Sequence, residues 1–270
     1  MAQFQCSSAL SYGPDPRQLA DVMVPESSGA APLLVLLHAG WWRRGHRHDL
    51  LSTAFELADR GYSVATLGYR LLQGSRSGGD LIADMVQGLR VAIEEAQVLG
   101  ADCGRRIILV GSGAGGLLAL YALQALRSAA QEQSVQVCGV AMVGTAPGFQ
   151  PWNDCPQEIA EALQQFASGD HLPDPLGAEA AHLPPLLLMH GDHDPEVPVR
   201  LAQELHSKVI QGEGASTLAI IAGASHRFLE DPTSQAGRSA LNRLQEWIKK
   251  LGEGAIATGD DVRVGDPAWL

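Results

Sequence analysis

Short unbroken apolar runs alternate with longer stretches of helical period along this chain, and that alternation leaves few architectures open. The runs Leu33–Leu37, Ser63–Leu67, Ile107–Val110, Gln136–Val143, Leu186–Met189 and Leu218–Ile221 are continuous rather than alternating, as strands covered on both faces must be. The segments 49–60, 80–99, 115–131, 156–167, 198–210 and 234–250 carry apolar residues at helical spacing and predict helices. Phe4–Leu10 and Leu19–Val24 predict an antiparallel start to the same sheet. The expected fold is α/β, a doubly wound and mostly parallel open sheet of about eight strands. No internal repeat and no Gly/Ser or charge-block linker divides the chain, so one domain is expected over 4–251. The last stretch, 252–270, lacks periodicity and predicts an irregular tail pinned by Trp269.

Composition narrows the function. Nineteen Lys+Arg against 30 Asp+Glu leave a formal charge of −11, a surface that repels phosphate backbones and anionic lipid, so neither nucleic acid nor membrane is an expected partner. No apolar run approaches the roughly 20 residues of a membrane-spanning helix. The N-terminal residues show no basic and apolar leader, which makes the cytoplasm the expected location. Cys6, Cys103, Cys138 and Cys155 form no CxxC pair and are expected as free thiols. No cofactor is implied.

In open α/β sheets ligands bind beyond the carboxyl ends of the strands, so the residues that follow each strand carry the argument. His38-Ala39-Gly40-Trp41-Trp42 follows the first central strand, where small residues allow close backbone approach and an inward nest of N–H groups. Gly111-Ser112-Gly113-Ala114-Gly115-Gly116 follows the third, a tight turn leading into a helix. Its literal match to a dinucleotide fingerprint is out of place, because it follows a middle strand and only Glu132 stands near the acidic position about 20 residues on. His190-Gly191-Asp192-His193-Asp194-Pro195-Glu196 offers a carboxylate in a Pro-bounded loop, and Gly223-Ala224-Ser225-His226 a histidine at the same edge. His190, Asp192, His193 and Asp194 are of metal-ligating type, but neighbours along an extended segment point apart and no metal is expected there.

Loop, glycine turn, acid and histidine stand in the chain order that α/β-hydrolases use. Over about residues 10–250 the sequence resembles the esterase and formamidase branch of that superfamily, whose members carry an HGGxW-type loop; Tyr69-Arg70-Leu71 and Asp84 are similar to that branch as well. The resemblance implies Asp194 as the acid and His226 as the base, with backbone N–H groups of Gly40, Trp41 and Ala114 around an oxyanion. His38, Trp42 and Ser112 would then border the substrate.

Two positions depart from the pattern. Ala39 replaces the first loop glycine, which is tolerable if its φ is negative. Gly113 stands where the nucleophilic serine belongs, and a glycine has no side chain with which to form an acyl-enzyme. Ser112 lies one residue early, and its use would put the β-branched Val110 where the motif wants a small residue. Four readings of Gly113 stay open: a pseudo-hydrolase that binds a ligand without catalysis, an active enzyme whose serine was deliberately removed, water activated by Asp194 and His226, and a shifted role for Ser112. The resemblance implies a carboxylic ester or amide as ligand and a chain inactive or strongly impaired as it stands. The segment Pro147–Pro185, with Trp152 and Phe166, is expected to roof the pocket. Arg43, Arg44 and Arg47 either meet a carboxylate or face solvent.

Overall fold

The computed structural model describes residues 3–26, 29–128, 135–168, 183–254 and 261–264. Nine strands form one sheet: β1 (Phe4–Ser11), β2 (Leu19–Pro25), β3 (Leu33–Leu37), β4 (Val64–Leu67), β5 (Arg106–Ser112), β6 (Gln136–Val143), β7 (Leu186–Gly191), β8 (Ser216–Ile221) and β9 (Asp261–Val264). Their order is β1-β2-β4-β3-β5-β6-β7-β8-β9, with β1–β2 and β2–β4 antiparallel and the remainder parallel. The helices are α1 (Leu51–Asp59), α2 (Gly78–Val98), α3 (Ala114–Ser128), α4 (Gln157–Ala167), α5 (Arg200–Gln211) and α6 (Gln235–Gly252).

Continuous apolar strands need cover on two sides, and two separate cores provide it. Leu33, Val35 and Leu37 of β3 pack on one face with residues of α2, α3, α4 and α5. Leu34 and Leu36 pack on the other with residues of α1 and α6. The sheet is therefore doubly wound. The tail differs from the expectation: Asp261–Val264 extends the sheet by pairing in parallel with Leu218–Ile221. A run of D-V-R-V alternates polar and β-branched residues, which suits an edge strand, though four residues are too few to register as a period. Trp269 lies outside the described residues.

β5 outlasts the apolar run that predicted it. Gly111 and Ser112 continue the ladder opposite Met142 and Val143, and α3 begins two residues after the strand ends. This short reversal needs glycine: a β-carbon on Gly111 would collide with the Gly116 backbone, and one on Gly116 with the Thr145 hydroxyl. No helix among the described residues is long and apolar enough to cross a membrane.

Candidate active site

Gly113 occupies the reversal between β5 and α3 with φ +51°, the left-handed region that only glycine enters without cost. Its N–H donates to Val143 O at 2.7 Å and its carbonyl accepts from Thr145 Oγ1 at 2.9 Å, so the turn is held by the last residue of β6 and by the loop just after it. A β-carbon added here would point at His226, 3.1 Å from Nε2, and would also lie 3.1 Å from the Ala39 methyl.

His226 comes from the loop after β8 and Asp194 from the loop after β7. His226 Nδ1 donates to Asp194 Oδ2 at 2.8 Å, which leaves Nε2 as the nitrogen free to accept a proton. Asp194 is itself over-held: its Oδ1 accepts the N–H groups of Glu196 at 2.8 Å and Val197 at 2.9 Å, and His190 Nε2 lies 3.2 Å from Oδ2. Desolvation pushes its carboxyl up, but the hydrogen bonds from His190 and His226, the His226 charge and the Val197 N–H outweigh it and hold the group well below the usual carboxylate range. His190 is fully buried and also donates to Val197 O at 2.8 Å, whereas His193 is exposed, so the two histidines diverge.

The loop after β3 carries three successive left-handed residues, Gly40 (φ +107°), Trp41 (φ +51°) and Trp42 (φ +58°). For the two tryptophans that conformation costs about 1–2 kcal/mol each. Gly40 O accepts the N–H groups of Arg43 and Arg44, and Trp42 O accepts Leu72 N–H at 2.7 Å, bonds that enforce the turn. Ala39 is outside the left-handed region, so its methyl is tolerated. The N–H groups of Trp41 and of Ala114, the first residue of α3, donate to no acceptor among the described residues. Trp41 is buried, its ring parallel to that of His226 at 6.3 Å between centroids, and its Nε1–H donates to Glu196 Oε2 at 3.0 Å.

Three residues expected to border a substrate are not in contact with open space. Trp42 is fully buried against Phe166, ring centroids 4.1 Å apart. His38 is buried, stacked on Tyr69 at 4.1 Å with its Nδ1 on Ala39 O, and burial lowers its pKa to about 4. Ser112 is buried within the β5–β6 ladder. A cavity of about 390 Å³ lies instead against Ala39, Gly40, Arg44, Gly45, Asp49, Glu196, His226 and Arg227. Glu196 is the neighbour that the sequence reading missed; its only signal was its place two residues after Asp194.

Of the expected roof, α4 is described and residues 169–182 are not. α4 clasps the loop after β3: Arg43 reaches Gln165 Oε1 at 3.2 Å and Glu161 at 3.5 Å, and Arg44 reaches Glu158 at 3.4 Å. Trp152 packs on Trp41 with centroids 6.3 Å apart. Arg47 turns inward to Asp21 at 2.7 Å, and Arg70 grips the buried Asp84 at 2.7 Å.

An open, mostly parallel sheet with acid and histidine on adjacent loops at its carboxyl edge defines an α/β-hydrolase. The BD-FAE family model matches residues 20–144. Ethyl acetate hydrolase of Pseudomonas putida is 31% identical over 226 residues, 76% of this chain and 68% of that protein. The isoprenylcysteine alpha-carbonyl methylesterase of Arabidopsis thaliana is 29% identical over 253 residues, 84% of this chain and 58% of that protein. The chain thus spans about three fifths of the length of the methylesterase relatives it matches. Among solved structures, inhibited esterase B from Lactobacillus rhamnosis superposes with TM-score 0.79 at 21% identity, covering 93% of this chain and 88% of that one. Esterase 2 of Thermogutta terrifontis does so with TM-score 0.73 at 19% identity, covering 96% and 97%. The chain belongs to the esterase family of α/β-hydrolases.

Proposed function

We propose that this chain is an ester-binding member of its family in which Gly113 occupies the nucleophile position, so that hydrolysis through an acyl-enzyme is lost and turnover is absent or strongly impaired. One observation carries the reading: a β-carbon on Gly113 would sit 3.1 Å from the Nε2 of a histidine whose Nδ1 is already held by a buried carboxylate. A serine at 113 would thus carry its hydroxyl beside that nitrogen, with the imidazole giving by a few tenths of an ångström to admit it. Asp194 and His226 are assigned as acid and base, and the N–H groups of Gly40, Trp41 and Ala114 as the oxyanion donors. The names of the relatives, an ethyl acetate hydrolase and a methylesterase, favour esters of small alcohols as the ligand class over amides. A cytoplasmic location belongs to the same proposal.

In a serine relative, His226 would take the hydroxyl proton and Asp194 would stabilise the imidazolium. Here the first of those steps has no donor on the chain. Oxyanion donors and binding alone can leave about 10³–10⁴-fold acceleration over water after a triad member is lost, so impaired is not the same as inert.

The test is hydrolysis of p-nitrophenyl acetate and butyrate by the chain, by Gly113→Ser and by Gly113→Ser with His226→Ala. Turnover that appears with the serine and vanishes with the alanine supports the reading. A serine variant no faster than the unaltered chain contradicts it.

A further inference from the structure

His226 is bracketed by two carboxylates from one turn. Asp194 Oδ2 is 2.8 Å from Nδ1 and Glu196 Oε2 is 3.7 Å from Nε2. The bracket is rigid: Asp194 Oδ1 accepts the Glu196 N–H, and Trp41 Nε1–H fixes the Glu196 carboxylate at 3.0 Å. The nearby cation, Arg227, pairs with Glu230 at 2.6 Å and lies 3.9 Å from Asp49, so it acts on Glu196 through space rather than in a close ion pair. Glu196 and His226 both face the 390 Å³ cavity. A carboxylate at Nε2 has no task in a serine mechanism, where that nitrogen faces the hydroxyl. It acquires one when the side chain at 113 is missing.

We propose that Glu196 is a catalytic residue of a serine-free hydrolysis, in which a water molecule held between Glu196 and His226 Nε2 attacks the ester directly. The proposal rests on the ester-site reading above. In the step, one water proton passes to His226 Nε2 while the water oxygen bonds to the carbonyl carbon, whose π pair moves to the carbonyl oxygen near the Trp41 and Ala114 N–H groups. Glu196 accepts the second O–H of the water and faces the imidazolium that forms. Collapse re-forms the C=O bond and breaks the bond to the alkoxy oxygen, which takes the proton back from Nε2. Ester and water become acid and alcohol, with His226 restored and no covalent intermediate.

Initial rates on p-nitrophenyl acetate test this with the full chain, Glu196→Gln, Trp41→Phe and His226→Ala, each before and after exposure to a fluorophosphonate. The expected result is slow, burst-free turnover that needs His226 and resists the fluorophosphonate. Glu196→Gln should lower kcat by about tenfold or more while KM moves by less than about twofold, the pattern of a lost proton-handling contact rather than lost binding. Trp41→Phe keeps an aromatic ring, smaller than the indole, removes the N–H that aims Glu196, and should lower kcat in the same direction. Unchanged kcat in Glu196→Gln overturns the proposal; if that variant does not fold, unchanged kcat in Trp41→Phe does so. Fluorophosphonate-sensitive turnover also overturns it. If the chain shows no His226-dependent turnover while Gly113→Ser does, this proposal fails and the ester-site reading stands; if neither turns over, both fail.

Discussion

A β-carbon added to Gly113 would crowd the Ala39 methyl as closely as it approaches His226, 3.1 Å in each case. The two departures from the family pattern are therefore one packing problem, since the methyl at 39 takes up room that a serine at 113 would need. Gly113→Ser alone should recover less esterase activity than Gly113→Ser with Ala39→Gly. A double-mutant cycle on kcat/KM measures the coupling, and additive effects would contradict it. Two titrating groups set expectations for pH. The Asp194 carboxyl is depressed, so its contribution to stability is full above the ordinary carboxylate range and is lost as pH falls through its folded-state value; Asp194→Asn should weaken that acid limb in urea melts. His38 has a folded pKa of about 4 against an ordinary 6.5, so the unfolded chain takes up its proton first. Stability should fall between pH 6.5 and 4 by roughly 3 kcal/mol at full extent, and His38→Gln, which cannot titrate, should flatten that slope.

At the scale of elements, the loop after β3 stores strain that its packing repays. Trp42, left-handed and fully buried against Phe166 of α4, links that loop to the roof. Trp42→Ala should cost about 3–5 kcal/mol in chemical denaturation, as large aromatic deletions do, and a loss below about 1 kcal/mol would show that the contact is dispensable. The strands are legible because burial on both faces leaves an unbroken apolar run: of the six core runs two match the observed strands, one is a residue too long, and three extend at their ends. Those extensions carry the site. Gly111 and Ser112 have no strand propensity and join β5 only through Met142 and Val143 opposite them. α2 starts two residues before the spacing predicts, because Gly78 and Gly79 are poor helix formers that only the reciprocal box of Ser77 and Asp80 brings into the helix. β9, four residues long, is too short to show a period in the sequence.

For the whole molecule, chain order conveyed more than any single motif. Asp194 and His226 lie 32 residues apart and meet because β7 and β8 are parallel neighbours whose loops leave from the same edge. That placement follows from topology, so it was open to reading. Which side chains of those loops face the cavity was not. Trp42, His38 and Ser112 turn into the core, while Glu196 turns toward His226 because the turn closed on Asp194 Oδ1 sends it there. Active-site phosphonylation asks whether the serine-hydrolase frame is complete except for the group at 113. The chain, and Gly113→Ser combined with Ala39→Gly, would be treated with a fluorophosphonate and weighed intact. One phosphonyl adduct is expected on residue 113 of the double variant, abolished by His226→Ala, and none on the unaltered chain. An adduct on Ser112 of the unaltered chain, or none on the double variant, would contradict a frame complete but for that group.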